Sequence, residues 1–472
     1  MLKHEIPYQS DSAKLFASIA DWPWAVFLDS GQPTSQFGRY DIMAANPFIR
    51  LVTNGGQTLI SDADGERISA EDPFELLKAT LAPYKVERTA LPFEGGAIGY
   101  FAYDLARRVE RLPELASDAE NIPQMMVGIY DWVLVVDHQL KRSYLVSHGR
   151  HPQAEKDWSD LCALFDAPYS ASAKAPFQVV SALQSNMDYP KYSAAFDKVK
   201  QYIHEGDCYQ VNLAQRFSAQ AEGDAWSAYL ALREISPAPF MSYMNLGDEQ
   251  SSLQVLSASP ERFLQVHGNH VETRPIKGTR PRSKNAGEDA ANALALQNSP
   301  KDRAENLMIV DLLRNDISKA CETGSVRADN LFALESFANV HHLVSTVTGR
   351  LAEDKTSIDL LRACFPGGSI TGAPKLRSME IIEELEPNRR GLYCGAIGYI
   401  GFDGNMDTNI TIRTAVYSHG EIRFYAGGGI VADSELEKEY RETLDKASSM
   451  LALIARFGGD VTLKASNSDV DS

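Results

Sequence analysis

The sequence predicts an α+β protein built on antiparallel sheets. Strand-like runs recur along the whole chain, well-signalled helices occur in its second half, and the two do not alternate as a doubly wound βαβ fold requires. With 472 residues, 44% of them hydrophobic, the chain is long enough to bury a large core.

The first region spans residues 1–165. Its strand signals are Trp24-Ala25-Val26-Phe27-Leu28, the glycine-aromatic run Gly95-Gly96-Ala97-Ile98-Gly99-Tyr100-Phe101, and Trp132-Val133-Leu134-Val135-Val136. A linker is expected over 166–186, where Ala167 to Pro176 is small and polar with a proline near each end. The second region, 187–455, mixes strands and helices. Ser299-Pro300 reads as a cap followed by a first-turn proline, and predicts a helix to about Ser318. Ile397-Gly398-Tyr399-Ile400 and Ile422-Arg423-Phe424-Tyr425 read as strands. Ser434 with Glu437 three residues on predicts a capping box, and Leu436, Tyr440, Leu444, Ala447 and Leu451 supply an apolar stripe behind it. The tail, 464–472, is expected to be disordered.

Charge and cysteine content exclude several classes. A net charge of −17 argues against a nucleic-acid surface, so an anionic small substrate must be met by local basic groups or a metal. The five cysteines form neither a CxxC pair nor a cluster with histidine, which leaves reduced thiols as the expectation. No run approaches the ~18 apolar residues of a membrane helix and no secretory signal opens the chain, so a cytoplasmic location is expected.

Within the last predicted helix, Glu435, Glu439, Glu442 and Lys446 fall within about 60° of one another, away from the apolar stripe. A solvated glutamate face is the ordinary reading; a polar cavity holding a hard cation is the other. Gly427-Gly428-Gly429 just before it could be a tight turn or an approach for backbone amides to an anion. The helix after Ser299 carries Lys301, Asp302, Arg303, Glu305, Asp311, Arg314 and Asp316, a mixture usual for surface pairing. Arg274, Lys277, Arg280 and Arg282 form the densest basic cluster, either solvated or with a lysine desolvated enough to be a nucleophile. His341-His342 lies between apolar stretches.

Together these segments resemble the chorismate-utilising enzymes, which include anthranilate synthase component I and aminodeoxychorismate synthase component I. The resemblance rests on Ser259-Pro260-Glu261-Arg262-Phe263, Pro275-Ile276-Lys277-Gly278-Thr279-Arg280, Asp302-Arg303-Ala304-Glu305-Asn306-Leu307, Val340-His341-His342-Leu343-Val344, Thr371-Gly372-Ala373-Pro374-Lys375, Ile410-Thr411-Ile412-Arg413-Thr414 and Gly427 to Ser434, in that order. It implies two facing antiparallel sheets flanked by helices. It implies Mg²⁺ held by Glu305 and Glu442, with Glu439 acting through water, and chorismate held by Gly278, Thr279, Tyr393, Arg413, Gly428, Gly429 and Lys446. Glu261 matches a candidate general acid/base, and His342 a catalytic histidine near the departing hydroxyl.

Within the family, anthranilate synthases carry alanine where this chain has Lys277, and water-adding members place a lysine at the position of Gln210. Both positions favour the aminodeoxychorismate synthases, with Lys277 as nucleophile and 4-amino-4-deoxychorismate as product. The alternatives are an anthranilate synthase component that releases pyruvate, or a non-catalytic regulatory subunit. No cysteine lies in a G-x-C-x-G elbow, so the resemblance implies ammonia from a separate glutamine amidotransferase subunit. Phe27-Leu28-Asp29-Ser30 matches the tryptophan-binding segment of anthranilate synthases, departing from their Leu-Leu-Glu-Ser.

Overall fold

A computed structural model describes residues 1–33, 38–167, 175–247, 252–336 and 340–462. Two large antiparallel sheets face each other, with helices on their outer sides. The first sheet runs Leu2–Ile6, Arg142–Ser147, Trp132–Asp137, Tyr40–Ala44, Ala25–Asp29, Phe240–Asn245, Leu253–Ser259, Thr414–Ser418, Glu421–Ile430 and Gln210–Glu222. The second runs Ile276–Pro281, Val340–Arg350, His270–Thr273, Arg262–His267, Met406–Ile410, Ala396–Gly401, Gly96–Phe101, Met125–Tyr130, Ile49–Asn54, Gln57–Asp62 and Gly65–Ser69. Strands from both sequence regions enter both sheets.

The two-residue period of a strand explains the layering. In Ala25–Asp29, Val26 points into the core between the sheets with Met244, Ile98 and Ile397, while Phe27 points outward among Phe16, Trp226 and Tyr229. On the far face of the second sheet, Leu51, Phe101 and Leu264 pack against Phe74, Ile317 and Leu360 of the covering helices.

The expected α+β class with antiparallel sheets is the observed one, and the five strand signals fall on strands. The helix Pro300–Ser318 begins as predicted, with the Ser299 hydroxyl accepting from the Asp302 amide at 3.3 Å. The start of the last helix, Leu436–Arg456, differs. Ser434 is one residue too early to cap it; Glu435 holds the cap position without a side-chain bond. The Ser434 hydroxyl accepts from the Val431 amide and donates to Glu439 instead. The buried row of that helix is Glu439, Thr443, Ala447, Met450, Leu453 and Ile454, so Glu439 faces inward rather than lying apart from the apolar side.

The glycine triplet is extended, within the strand Glu421–Ile430, and not a turn. Of the expected linker, residues 168–174 lie outside the described residues, as does the tail 464–472; Gln178–Val179 and Gln184–Ser185 pair with Gln210–Glu222. Among the described residues, no helix is long and apolar enough to cross a membrane.

Candidate active site

The site lies where the Ile276–Pro281 edge of one sheet faces the Glu421–Ile430 strand of the other. Each sheet carries one helix that supplies carboxylates. Pro300–Ser318 packs on Val340–Arg350 and presents Glu305; Leu436–Arg456 packs on Glu421–Ile430 and presents Glu439, Glu442 and Lys446.

Gly428 is the point of convergence. A methyl group placed there would lie 3.4 Å from Glu439 Oε2, 3.6 Å from Glu442 Oε1 and 3.6 Å from Lys446 Nζ. Any side chain at this position would therefore occupy the space the charged groups share. At Gly429 the same addition would strike Gln210 Nε2 at 2.5 Å. Lys446 pairs with Glu442 at 2.7 Å, as a lysine one turn along a helix can. Glu439 is buried and accepts from Ser434 at 2.6 Å. Burial raises the Glu439 pKa, partly offset by that hydrogen bond; for Glu442 burial also works upward, but Lys446 outweighs it and lowers the value. Glu305, half-buried, is raised by burial against the pull of Lys277. Glu435 belongs elsewhere: it is exposed and pairs with Lys438.

The basic cluster of the sequence divides in two. Arg274 pairs with Glu335, Arg280 with Asp302 at 3.0 Å and Arg282 with Asp289 at 2.9 Å. Lys277 turns the other way and donates to the Ser369 carbonyl at 3.3 Å. A break in register between Ile276 and Thr279 accompanies this turn, with Gly278 at φ +85°. Glycine suits that backbone, and a methyl group there would also press on Leu296 at 2.8 Å. Burial lowers the Lys277 pKa; Glu305 opposes that shift and Lys446 adds to it.

Glu261 is buried and accepts from the Ser369 hydroxyl at 3.2 Å. Burial raises its pKa, against Lys277 and that hydrogen bond. Thr279 Oγ1 lies 2.9 Å from His342 Nδ1. Burial, helped by the Arg413 charge, pushes His342 down to about 4. Arg413 sits at φ +49°, and burial lowers its pKa despite Glu261. The ring contacts of Tyr393 are Tyr425, stacked at 5.3 Å, and the Arg390 guanidinium at 5.5 Å.

Lys277, Glu261, Glu305, Glu442 and Lys446 thus share one electrostatic cluster. Among the described residues no group of three or more His, Cys, Asp or Glu side chains is placed to hold a metal ion. Mg²⁺ does not require one, because it keeps several waters and takes one or two carboxylates plus ligand oxygens.

A family described as chorismate binding enzyme matches residues 25–452. The chain belongs to that family. Among its relatives, aminodeoxychorismate synthase component 1 of Escherichia coli is 48% identical over 448 residues, covering 94% of this chain and 96% of that protein. Anthranilate synthase component 1 of Mycolicibacterium smegmatis is 37% identical over 453 residues, covering 92% and 86%. The crystal structure of anthranilate synthase component I from Streptococcus pneumoniae superposes with a TM-score of 0.77 at 33% identity, covering 88% and 92%.

In this chorismate-binding enzyme the Phe27-Leu28-Asp29-Ser30 segment borders a cavity of about 540 Å³ between the sheets. Leu28, Ser30, Tyr40, Met241 and Asn409 line it. The Asp29 carboxylate is engaged by Tyr229 at 2.8 Å and Arg233 at 2.5 Å. Two site residues escaped the sequence reading. Ser369 links Lys277 to Glu261, and the Gly367-Gly368 pair before it was its available signal. Lys301 reaches Glu439 at 3.8 Å from the opposite helix, which a mixed-charge helix face gives no means to foresee.

Proposed function

We propose that this chorismate-binding enzyme converts chorismate and ammonia to 4-amino-4-deoxychorismate, as the chorismate-binding component of an aminodeoxychorismate synthase, with Lys277 as nucleophile. The observation that carries this reading is the inward amine of Lys277, coupled to Glu305 and Glu261 and driven toward its neutral form by burial.

Glu305, Glu439 and Glu442 suit Mg²⁺ as hard oxygen donors, two of them already meeting over Gly428. Bound among them, the ion supplies Lewis-acid stabilisation of the ring carboxylate. Arg413, Thr279, Tyr393, Lys446 and the backbone of Gly278, Gly428 and Gly429 orient the dianion. Glu261, kept more protonated by burial, gives a proton to the departing C4 hydroxyl, which leaves as water. The Lys277 nitrogen bonds to C2 as the C4–O bond breaks. Ammonia then bonds to C4 as the C2–N bond breaks; the lysine amine is restored, and the added nitrogen gives up a proton that reprotonates Glu261. His342, neutral at pH 7, holds Thr279 and does not serve as the acid.

Ammonia comes from a separate glutamine amidotransferase subunit on this reading. Four cysteines are buried and Cys162 is partly so, and burial raises Cys321 to about 11 and Cys394 to about 12. A glutaminase nucleophile needs the opposite shift. The similarity to anthranilate synthases supports one competing product. Incubation with chorismate, Mg²⁺ and ammonium salt separates them: 4-amino-4-deoxychorismate is expected, and anthranilate as the main product overturns the assignment.

A further inference from the structure

We propose that Lys301 is a built-in cation for the carboxylate cluster: in the metal-free enzyme its ammonium sits against Glu439, beside Glu305 and Glu442, and an arriving divalent cation displaces it. The inference rests on reading those three carboxylates as a magnesium site.

Lys301 lies in the first turn of the helix Pro300–Ser318. That is the positive end of the helix dipole, where a lysine is disfavoured by its own backbone. Compensation comes from across the cleft. Its Nζ is 3.8 Å from Glu439 Oε1, although its side chain is 51% exposed and Glu439 only 4%. The contact joins helices packed on different sheets. The same ammonium also acts on Glu305 and Glu442, so all three carboxylates feel its charge.

The neighbouring lysines have closer partners. Lys446 pairs at 2.7 Å with Glu442 of its own helix, and Lys277 donates to Ser369. Lys301, by contrast, holds Glu439 at a distance too long for a hydrogen bond. Its exposed stem can swing the ammonium into water, where a lysine is well solvated. A dication that binds Glu439 meets the Lys301 ammonium beside the same carboxylate, and like charges repel. Of the nearby lysines, Lys301 makes the longest contact and is the freest to leave.

The test needs no substrate. Wild type, Lys301→Met and Lys301→Arg are melted and titrated calorimetrically with MgCl₂ at constant ionic strength. Lys301→Met is expected to melt lower without metal, to bind Mg²⁺ about three- to ten-fold more tightly, and to gain more in Tm from it. Lys301→Arg is expected to stay near wild type. Equal Mg²⁺ affinities and Tm gains in wild type and Lys301→Met overturn the role of Lys301 while leaving the magnesium site intact. No Mg²⁺ response in wild type overturns both.

Discussion

Lys277 Nζ donates to the carbonyl oxygen of Ser369 at 3.3 Å, and the hydroxyl of the same serine donates to Glu261 at 3.2 Å. One residue of a Gly-Gly-Ser turn therefore spaces the proposed nucleophile from the proposed acid.

Glu261→Gln removes the proton donor while keeping the shape of the side chain. Turnover is expected to fall about 10²- to 10⁴-fold. Ser369→Ala leaves the acid in place but removes a hydrogen bond that lowers its pKa. The limb of the pH–rate profile belonging to Glu261 is expected to move to higher pH. A profile that is unchanged in Ser369→Ala argues against the link.

His342 supplies a pH test of folding. Its folded value, about 4, lies below the ordinary 6.5 because burial disfavours the imidazolium. A depressed value stabilises the fold above pH 6.5, and that contribution is lost as pH falls toward 4. Between pH 7 and pH 5, wild type is expected to lose about 2 kcal/mol more than His342→Gln in denaturant melts. Parallel losses would place the imidazolium in water and contradict the burial.

The carboxylates make a separate prediction. Glu305→Gln and Glu442→Gln are each expected to weaken Mg²⁺ half-saturation of activity by at least about ten-fold. An unchanged magnesium titration removes the substituted residue from the site.

The cavity beside Leu28 and Ser30, about 540 Å³, has room for a ligand of tryptophan's size. Titration calorimetry with L-tryptophan is expected to show binding there. If no heat and no inhibition appear, and denatured protein releases no tryptophan, the regulatory reading of this segment falls.

Much of this was legible because local chemistry decided it. A serine followed by proline located the start of Pro300–Ser318, and apolar runs located the strands. Orientation was less accessible. Whether Lys277 joins the solvated arginines or turns inward depends on the register break before Thr279, which only pairing with Val340–Arg350 defines. Glu439 looked like one of a solvated row, yet the glycines of Glu421–Ile430 let its helix lie close enough to bury it. Ser369 and Lys301 acquire roles only through residues distant in sequence, and tertiary placement alone brings them there.

The central claim is that Lys277 becomes bonded to the ring. Intact-mass measurement of protein incubated with chorismate and Mg²⁺, with ammonia withheld, tests it most directly. Wild type is expected to gain the mass of chorismate less one water, mapped to Lys277, and to lose it when ammonia is added; Lys277→Ala is expected to gain nothing. The same adduct in Lys277→Ala, or turnover to 4-amino-4-deoxychorismate at the wild-type rate in that variant, would contradict it.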